Sequence, residues 1–334
     1  MHRCWAPILL LILSTSALAF SVGSSQDEEN TDIFIVAADG SGRRNLTNDH
    51  VYGDDYPALS PDGRTLAFAR GRNLFVMPAR GGRARELLPS ATKPTWSPDG
   101  ANLAFNRVAA DNRGYEAGIV RRDGSGVISI PDAWNPTWLD GKRIAFETEK
   151  GDWTYAIAVA KADGSERRVV VRGEDLGLLE VFGPMAAPNG RSIAFTGGNP
   201  TPREAARVYS MNLTAGSQPR LISRGWGESP SWSPTGRRVV LVGADEGGIS
   251  TVRADGTQRR LFPATRRRYP QLPSWSPDGT RIAFIAHHSR SRHDLVVMNV
   301  RHRSLRVVAR RVERSQPVWS RDSRRLYYVA KSGS

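Results

Sequence analysis

One segment is written seven times along this chain, with varying fidelity: Pro-x-Trp-Ser-Pro-Asp-Gly-x-x-Ile/Leu-Ala-Phe. Its clearest copies start at Pro94 (PTWSPDGANLAF) and Pro273 (PSWSPDGTRIAF). Looser ones start at Pro57, Pro136, Pro184, Pro230 and Pro317, so successive copies lie 37, 42, 48, 46, 43 and 44 residues apart. A period in that range, built of short β-rich runs and tight turns, marks a propeller blade. Each copy opens with a strand and turns through Ser-Pro-Asp-Gly, where Pro presets φ and Gly supplies a positive φ. It returns along the Ile-Ala-Phe strand. A second hairpin recurs between copies, around Asp-Gly turns such as those at Asp39, Asp123, Asp163 and Asp255. Two hairpins make a four-stranded antiparallel blade.

The two kinds of hairpin are out of phase. The chain opens with a second hairpin at Asp32 and closes with a first hairpin at Pro317. Joining these ends completes a seventh blade and leaves no open sheet edge in the ring. The expected fold is all-β: a seven-bladed β-propeller with a two-plus-two terminal strand closure. The stretch Met185–Gly190 keeps only the outline of the motif. If it is an insertion, the ring has six blades.

Residues 1–19 read as a signal peptide. An apolar run from Pro7 to Leu13 is followed by a small-x-small cleavage site, Ala17-Leu18-Ala19. A flexible mature N-terminus is expected over 20–31, and a single propeller domain over 32–331. The expected location is secreted or periplasmic. No later stretch approaches the roughly 20 apolar residues of a membrane span, so the mature chain is expected to have no transmembrane segment. Cys4, the sole cysteine, lies inside the signal, which excludes disulfides and cysteine metal sites from the mature chain.

The net charge of +14 is unevenly placed. Residues 27–223 carry −1, whereas residues 224–325 carry 21 Arg against 8 acids. The last third is therefore a basic sector suited to an acidic partner. Arg-rich loops with few interleaved aromatics do not make a single-strand groove, and export removes nucleic acid further.

The repeat resembles the WD-repeat-like propeller of the TolB family. The resemblance rests on Trp-Ser-Pro-Asp-Gly at Trp96–Gly100 and Trp275–Gly279, with Ala-Asp-Gly turns at Asp39, Asp163 and Asp255. It covers residues 32–330. It implies a periplasmic, non-enzymatic scaffold that docks other envelope proteins. Two departures stand out: no α/β domain precedes the propeller, and seven blades are inferred where TolB has six.

Most motif residues read as structural. Trp96, Trp138, Trp232, Trp275 and Trp319 recur at one blade position, as side chains filling the space between sheets. The Asp of each Ser-Pro-Asp-Gly reads as a turn former. The hairpin turns are short and alike, whereas the connections on the opposite face vary, so that variable-loop face is the expected working face. Its candidate partner-binding residues are Asp54, Asp55, Tyr56, Glu180, Trp226, Glu228, Arg266, Arg267, Arg268, Tyr269, Arg290, Arg292 and Arg314.

No catalytic residue, metal ligand or cofactor is assigned. A channel-bound calcium ion near Asp54, Glu180 and Glu228 is the alternative. No Gly-x-Ser-x-Gly or His-Glu-x-x-His occurs, and an appended hydrolase domain is not expected. His287 and His288 stand in tandem and so point to opposite sides of an extended chain. The expectation is a monomeric, non-enzymatic scaffold for an envelope or extracellular protein or peptide. The alternative is an extracellular polysaccharide (uronate) lyase or hydrolase with a propeller active site.

Overall fold

The computed structural model describes residues 30–48, 51–109, 114–150, 154–199, 206–225, 227–243, 248–289 and 292–333. The expected signal peptide and most of the expected flexible segment lie outside these residues. The described residues form seven four-stranded antiparallel sheets. In blade 1 the strands Asp54–Leu59, Thr65–Arg70, Asn73–Pro78 and Arg85–Leu88 run in order outward from the channel. Blades 2 to 6 repeat this plan. The first strands of successive blades touch one another all round the ring.

Blade 7 is shared by the chain ends. Val318–Trp319 and Arg325–Lys331 supply its inner strands, and Thr31–Ala37 and Arg44–Asn45 its outer ones. The seam is a continuous ladder from Thr31↔Lys331 to Ala37↔Arg325. The weak fourth copy is a whole blade, with strands Glu180–Ala186, Ser192–Gly198, Arg207–Asn212 and Arg220–Leu221. The six-bladed alternative is thereby removed.

The physical logic of the repeat is now visible. Phe68, Phe105, Phe146, Phe195 and Phe284, each the aromatic that ends an Ile/Leu-Ala-Phe run, are fully buried. The preceding Ala is small because the next blade's Trp packs there. Ala67 clusters with Trp96, Ala104 with Trp138, Ala194 with Trp232 and Ala283 with Trp319. Four of these indoles also donate Nε1–H to the preceding blade's inner strand. Trp96 reaches the Ala58 carbonyl, Trp138 that of Thr95, Trp232 that of Met185 and Trp319 that of Ser274. The motif Trp thus fills the gap between blades and sets their register.

The turn aspartates act locally. Asp278 and Asp322 each accept the hydroxyl of the preceding motif Ser at 2.6 Å and a backbone N–H two residues on. Asp39, Asp163 and Asp255 do the same for the residue two positions later. These hydrogen bonds hold the five carboxyls below the ordinary carboxylate range, more than offsetting burial at Asp278, where it is the largest influence.

Candidate active site at the channel mouth

Proline has no N–H, so the inner-strand Pro of each motif interrupts the ladder to its neighbour. In blades 1 to 6 the register shifts there, as between Asp55 and Ala58 and between Thr92 and Thr95. The residue before the Pro takes a left-handed φ in all six: Tyr56, Lys93, Asn135, Gly183, Ser229 and Leu272. Five are not glycine, and a left-handed φ at such residues stores strain of about 1–3 kcal/mol each. The bulges sit where the inner strands begin, on the variable-loop side. Side chains of successive blades meet there.

On the side of blades 1 to 3, Lys93 is the centre. Its Nζ donates to Asn135 Oδ1 at 3.1 Å and lies 5.5 Å from the Tyr56 ring centroid. Burial pulls the amine below its usual range, with Glu147 and Asp55 opposing. Asn135 is held from both sides, its backbone N–H donating to Asn106 Oδ1 and its Nδ2 to Glu147 Oε1, each at 2.8 Å. Burial pushes Asp55 up despite a 2.8 Å hydrogen bond from Ser315.

On the side of blades 5 to 7 the groups are ionic and imidazole. His287 and His293 pair across neighbouring strands of blade 6 with ring centroids 5.0 Å apart. They share the sheet face of Ile285 and Leu295, which packs on blade 7. Among the described residues, His287 Nδ1, His293 Nε2 and Gln271 Oε1 are buried without a hydrogen-bond partner. Such groups are rare in folded proteins and point to water or a ligand. Burial lowers both imidazoles, and Arg314 lowers them further. Burial raises the Glu228 carboxyl, with Arg314 opposing. As alternation requires, His288 turns the other way and meets Asp294 at 3.1 Å.

The expected site residues divide. Asp55, Tyr56, Glu228 and Arg314 gather at the mouth. Glu180 is half-buried beside Tyr155 and is raised by burial. Asp54 is fully buried and paired with Arg70 through two contacts of 2.7 and 2.9 Å. Arg266, Arg267 and Arg268 end a 3-10 helix, Pro263–Arg268, anchored by the buried Thr265. Arg266 lines a cavity of about 120 Å³ with Arg224, Arg259 and Phe262, toward the outer strands of blade 5. Tyr269 follows, 67% exposed, and Arg292 is exposed next to His293. Trp226 and Arg290 lie outside the described residues. Lys93, Asn135, Glu147 and Gln271 were not anticipated; each but Glu147 sits one or two places before a motif Pro.

No family model matches this sequence. A curated relative, the uncharacterized peptidase YuxL of Bacillus subtilis, is 28% identical over 203 residues, 58% of this chain. The chain spans only 29% of that relative's length. Among solved structures, an oligogalacturonate lyase in complex with manganese is similar at 15% identity and a TM-score of 0.68. The match covers 92% of this chain and 98% of that one. TolB from Acinetobacter baumannii is similar at 13% identity and a TM-score of 0.53, over 92% of this chain and 65% of that one. The chain therefore shares its propeller fold with TolB. The expectation of a non-enzymatic protein-binding scaffold is corrected, because a relative named a peptidase and a lyase of matching length point to enzymatic propellers.

Proposed function

We propose that this chain is an exported enzyme that cleaves uronate-containing oligosaccharides by β-elimination at its channel mouth. The observation that carries this is the buried imidazole pair beside Arg314, with ring nitrogens that no described residue bonds. Elimination from a 4-linked uronate needs three things. A cation must offset the C6 carboxylate, a neutral base must take the C5 proton, and an acid must protonate the departing oxygen.

Each has a candidate. Arg314 is exposed and faces Glu228 and both imidazoles electrostatically, so it suits the carboxylate. His293, kept neutral by burial, removes the C5 proton. The C5–H electrons form the C4=C5 bond as the C4–O bond breaks. Glu228, whose carboxyl burial holds protonated to higher pH, gives its proton to the leaving oxygen. The lyase match along nearly the full length of both chains supports the assignment, and export is supported by the Ala17-Leu18-Ala19 site. Among the described residues no group of three or more His, Cys, Asp or Glu is gathered for a metal ion, so no step is routed through manganese. The peptidase relative matches without a Gly-x-Ser-x-Gly turn in this sequence, and acyl transfer is not assigned.

The test is incubation of the purified protein with polygalacturonate, alginate and a glycosaminoglycan, following the ultraviolet absorbance of an unsaturated uronate. Turnover that falls about 10²–10⁴-fold in His293→Ala is the expected result. No unsaturated product from any of the three would overturn the proposal.

A further inference from the structure

Opposite the ionic side, the mouth carries an aromatic wall that the elimination does not use. Trp134 packs between Tyr115 and Tyr155 in edge-to-face contacts, at centroid distances of 6.4 and 5.8 Å and interplanar angles of 60° and 90°. The indole is held in place from below. Its Nε1 donates to Glu147 Oε2 at 2.7 Å, and Glu147 Oε1 accepts Asn135 Nδ2 and the Gly183 N–H, both at 2.8 Å. Glu147 is 2% exposed, and a buried carboxylate is tolerated only when its oxygens are met in this way. All three donors come from the two inner strands that flank the wall.

The wall is also singular among the blades. Two places before the motif Pro the other blades carry Asp55, Thr92, Phe182, Glu228, Gln271 and Ser315. The tryptophan therefore answers no demand of the repeat. Its two tyrosine neighbours are, like it, half-buried on the variable-loop side. Val108 and Leu179 stand 39% and 49% exposed beyond them. The mouth thus carries this aromatic wall beside Lys93 on blades 2 and 3, and Glu228, the imidazoles and Arg314 on blades 5 to 7.

We infer that Trp134, flanked by Tyr115 and Tyr155, is a sugar-ring subsite that stacks the C–H face of the pyranose adjoining the one cleaved. A pyranose has an apolar face and a polar rim, and a fixed indole between two phenols matches both. Rigid fixation by Glu147 lowers the entropy lost on binding. Glu147 is here a positioning residue. The subsite rests on the elimination proposed above for its substrate, but its test does not stand or fall with it.

The experiment compares trigalacturonate with neutral galactotriose on the full chain and on Trp134→Ala, Trp134→Phe and Glu147→Gln. Binding is read by calorimetry and turnover by absorbance. Trp134→Ala is expected to raise KM for trigalacturonate about tenfold with kcat little changed, and to weaken galactotriose binding similarly. Trp134→Phe restores most of both, and Glu147→Gln lies between. Turnover with an unchanged KM and unchanged calorimetric affinities in Trp134→Ala overturns the subsite and leaves the elimination standing. Galactotriose binding lost in Trp134→Ala, in a protein that eliminates no uronate, supports the subsite while the elimination falls. If Trp134→Ala loses its thermal transition, Tyr115→Leu and Tyr155→Leu carry the same comparison. Binding of an apolar dipeptide at the wall with neither trisaccharide bound overturns it.

Discussion

His287 and His293 face each other across neighbouring strands of blade 6, ring centroids 5.0 Å apart, each with a buried nitrogen unbonded by any described residue. Two protonated rings at that distance repel, and Arg314 adds to the repulsion. Burial is the larger cause, and all three act to keep the pair neutral.

The pair makes stability depend on pH. The unfolded chain takes up protons near the ordinary imidazole value of about 6.5, while the folded chain resists until lower pH. Stability is therefore full above 6.5 and is lost as pH falls through it, since the unfolded state then binds more protons. Urea midpoints should drop between pH 8 and 5, and the His287→Asn, His293→Asn double variant should flatten that slope. Equal slopes in the two proteins would show that the rings titrate normally.

The interblade tryptophans give a second contrast. Trp138 Nε1 donates to the Thr95 carbonyl at 3.0 Å, whereas Trp275 Nε1 is buried with no partner among the described residues. Trp138→Phe leaves a carbonyl unsatisfied and should cost about 1–3 kcal/mol. Trp275→Phe removes an unbonded donor and should cost clearly less, from equilibrium urea unfolding. If the two cost the same, the interblade hydrogen bond contributes nothing measurable.

Much of this architecture could be read from the sequence because the repeat encodes contacts between like neighbours. Ala67 and Trp96 recur as partners in blade after blade, so a period alone exposes the fold, the turns and the seam at Asp32 and Pro317. The site is different. Lys93, Glu147 and Arg314 come from different blades, at places where the copies disagree, and only closure of the ring brings them to one mouth. Asp54 and Asp55 are adjacent acids in sequence, yet strand alternation buries one against Arg70 and turns the other to Ser315. The arginines at 266–268 belong to the expected variable-loop face, where a 3-10 helix carries Arg266 toward the outer strands of blade 5.

Burial raises both adjacent carboxyls, yet they should differ on neutralisation because Asp54 alone is paired with an arginine. Asp54→Asn breaks the two charge-assisted contacts to the half-buried Arg70 and should cost about 1.5–3 kcal/mol. Asp55 is raised by burial, so folding favours its protonated form, and its charged form costs stability as pH rises above the ordinary carboxylate range. Asp55→Asn should therefore be neutral or stabilising at pH 7. Calorimetric unfolding of both variants settles the assignment, and a larger loss for Asp55→Asn than for Asp54→Asn would reverse it.

The terminal seam is the last point of control over the ring. Seven residue pairs from Thr31↔Lys331 to Ala37↔Arg325 join the two ends, and Ile33 and Val36 beneath them are fully buried. Deleting residues 30–47 removes both outer strands of blade 7 and leaves Arg325–Lys331 as an unpaired edge, so it should abolish the cooperative transition. A covalent lock should act the other way. Directly paired antiparallel residues lie within disulfide reach, and Thr31→Cys with Lys331→Cys would close a loop of almost the whole domain. The oxidised variant should gain about 2–4 kcal/mol over its reduced form, since long loops lose the most unfolded-state entropy on cross-linking. The check is the shift in urea midpoint on adding reductant. No shift in a protein proven to carry the bond would mean that the ring opens elsewhere first.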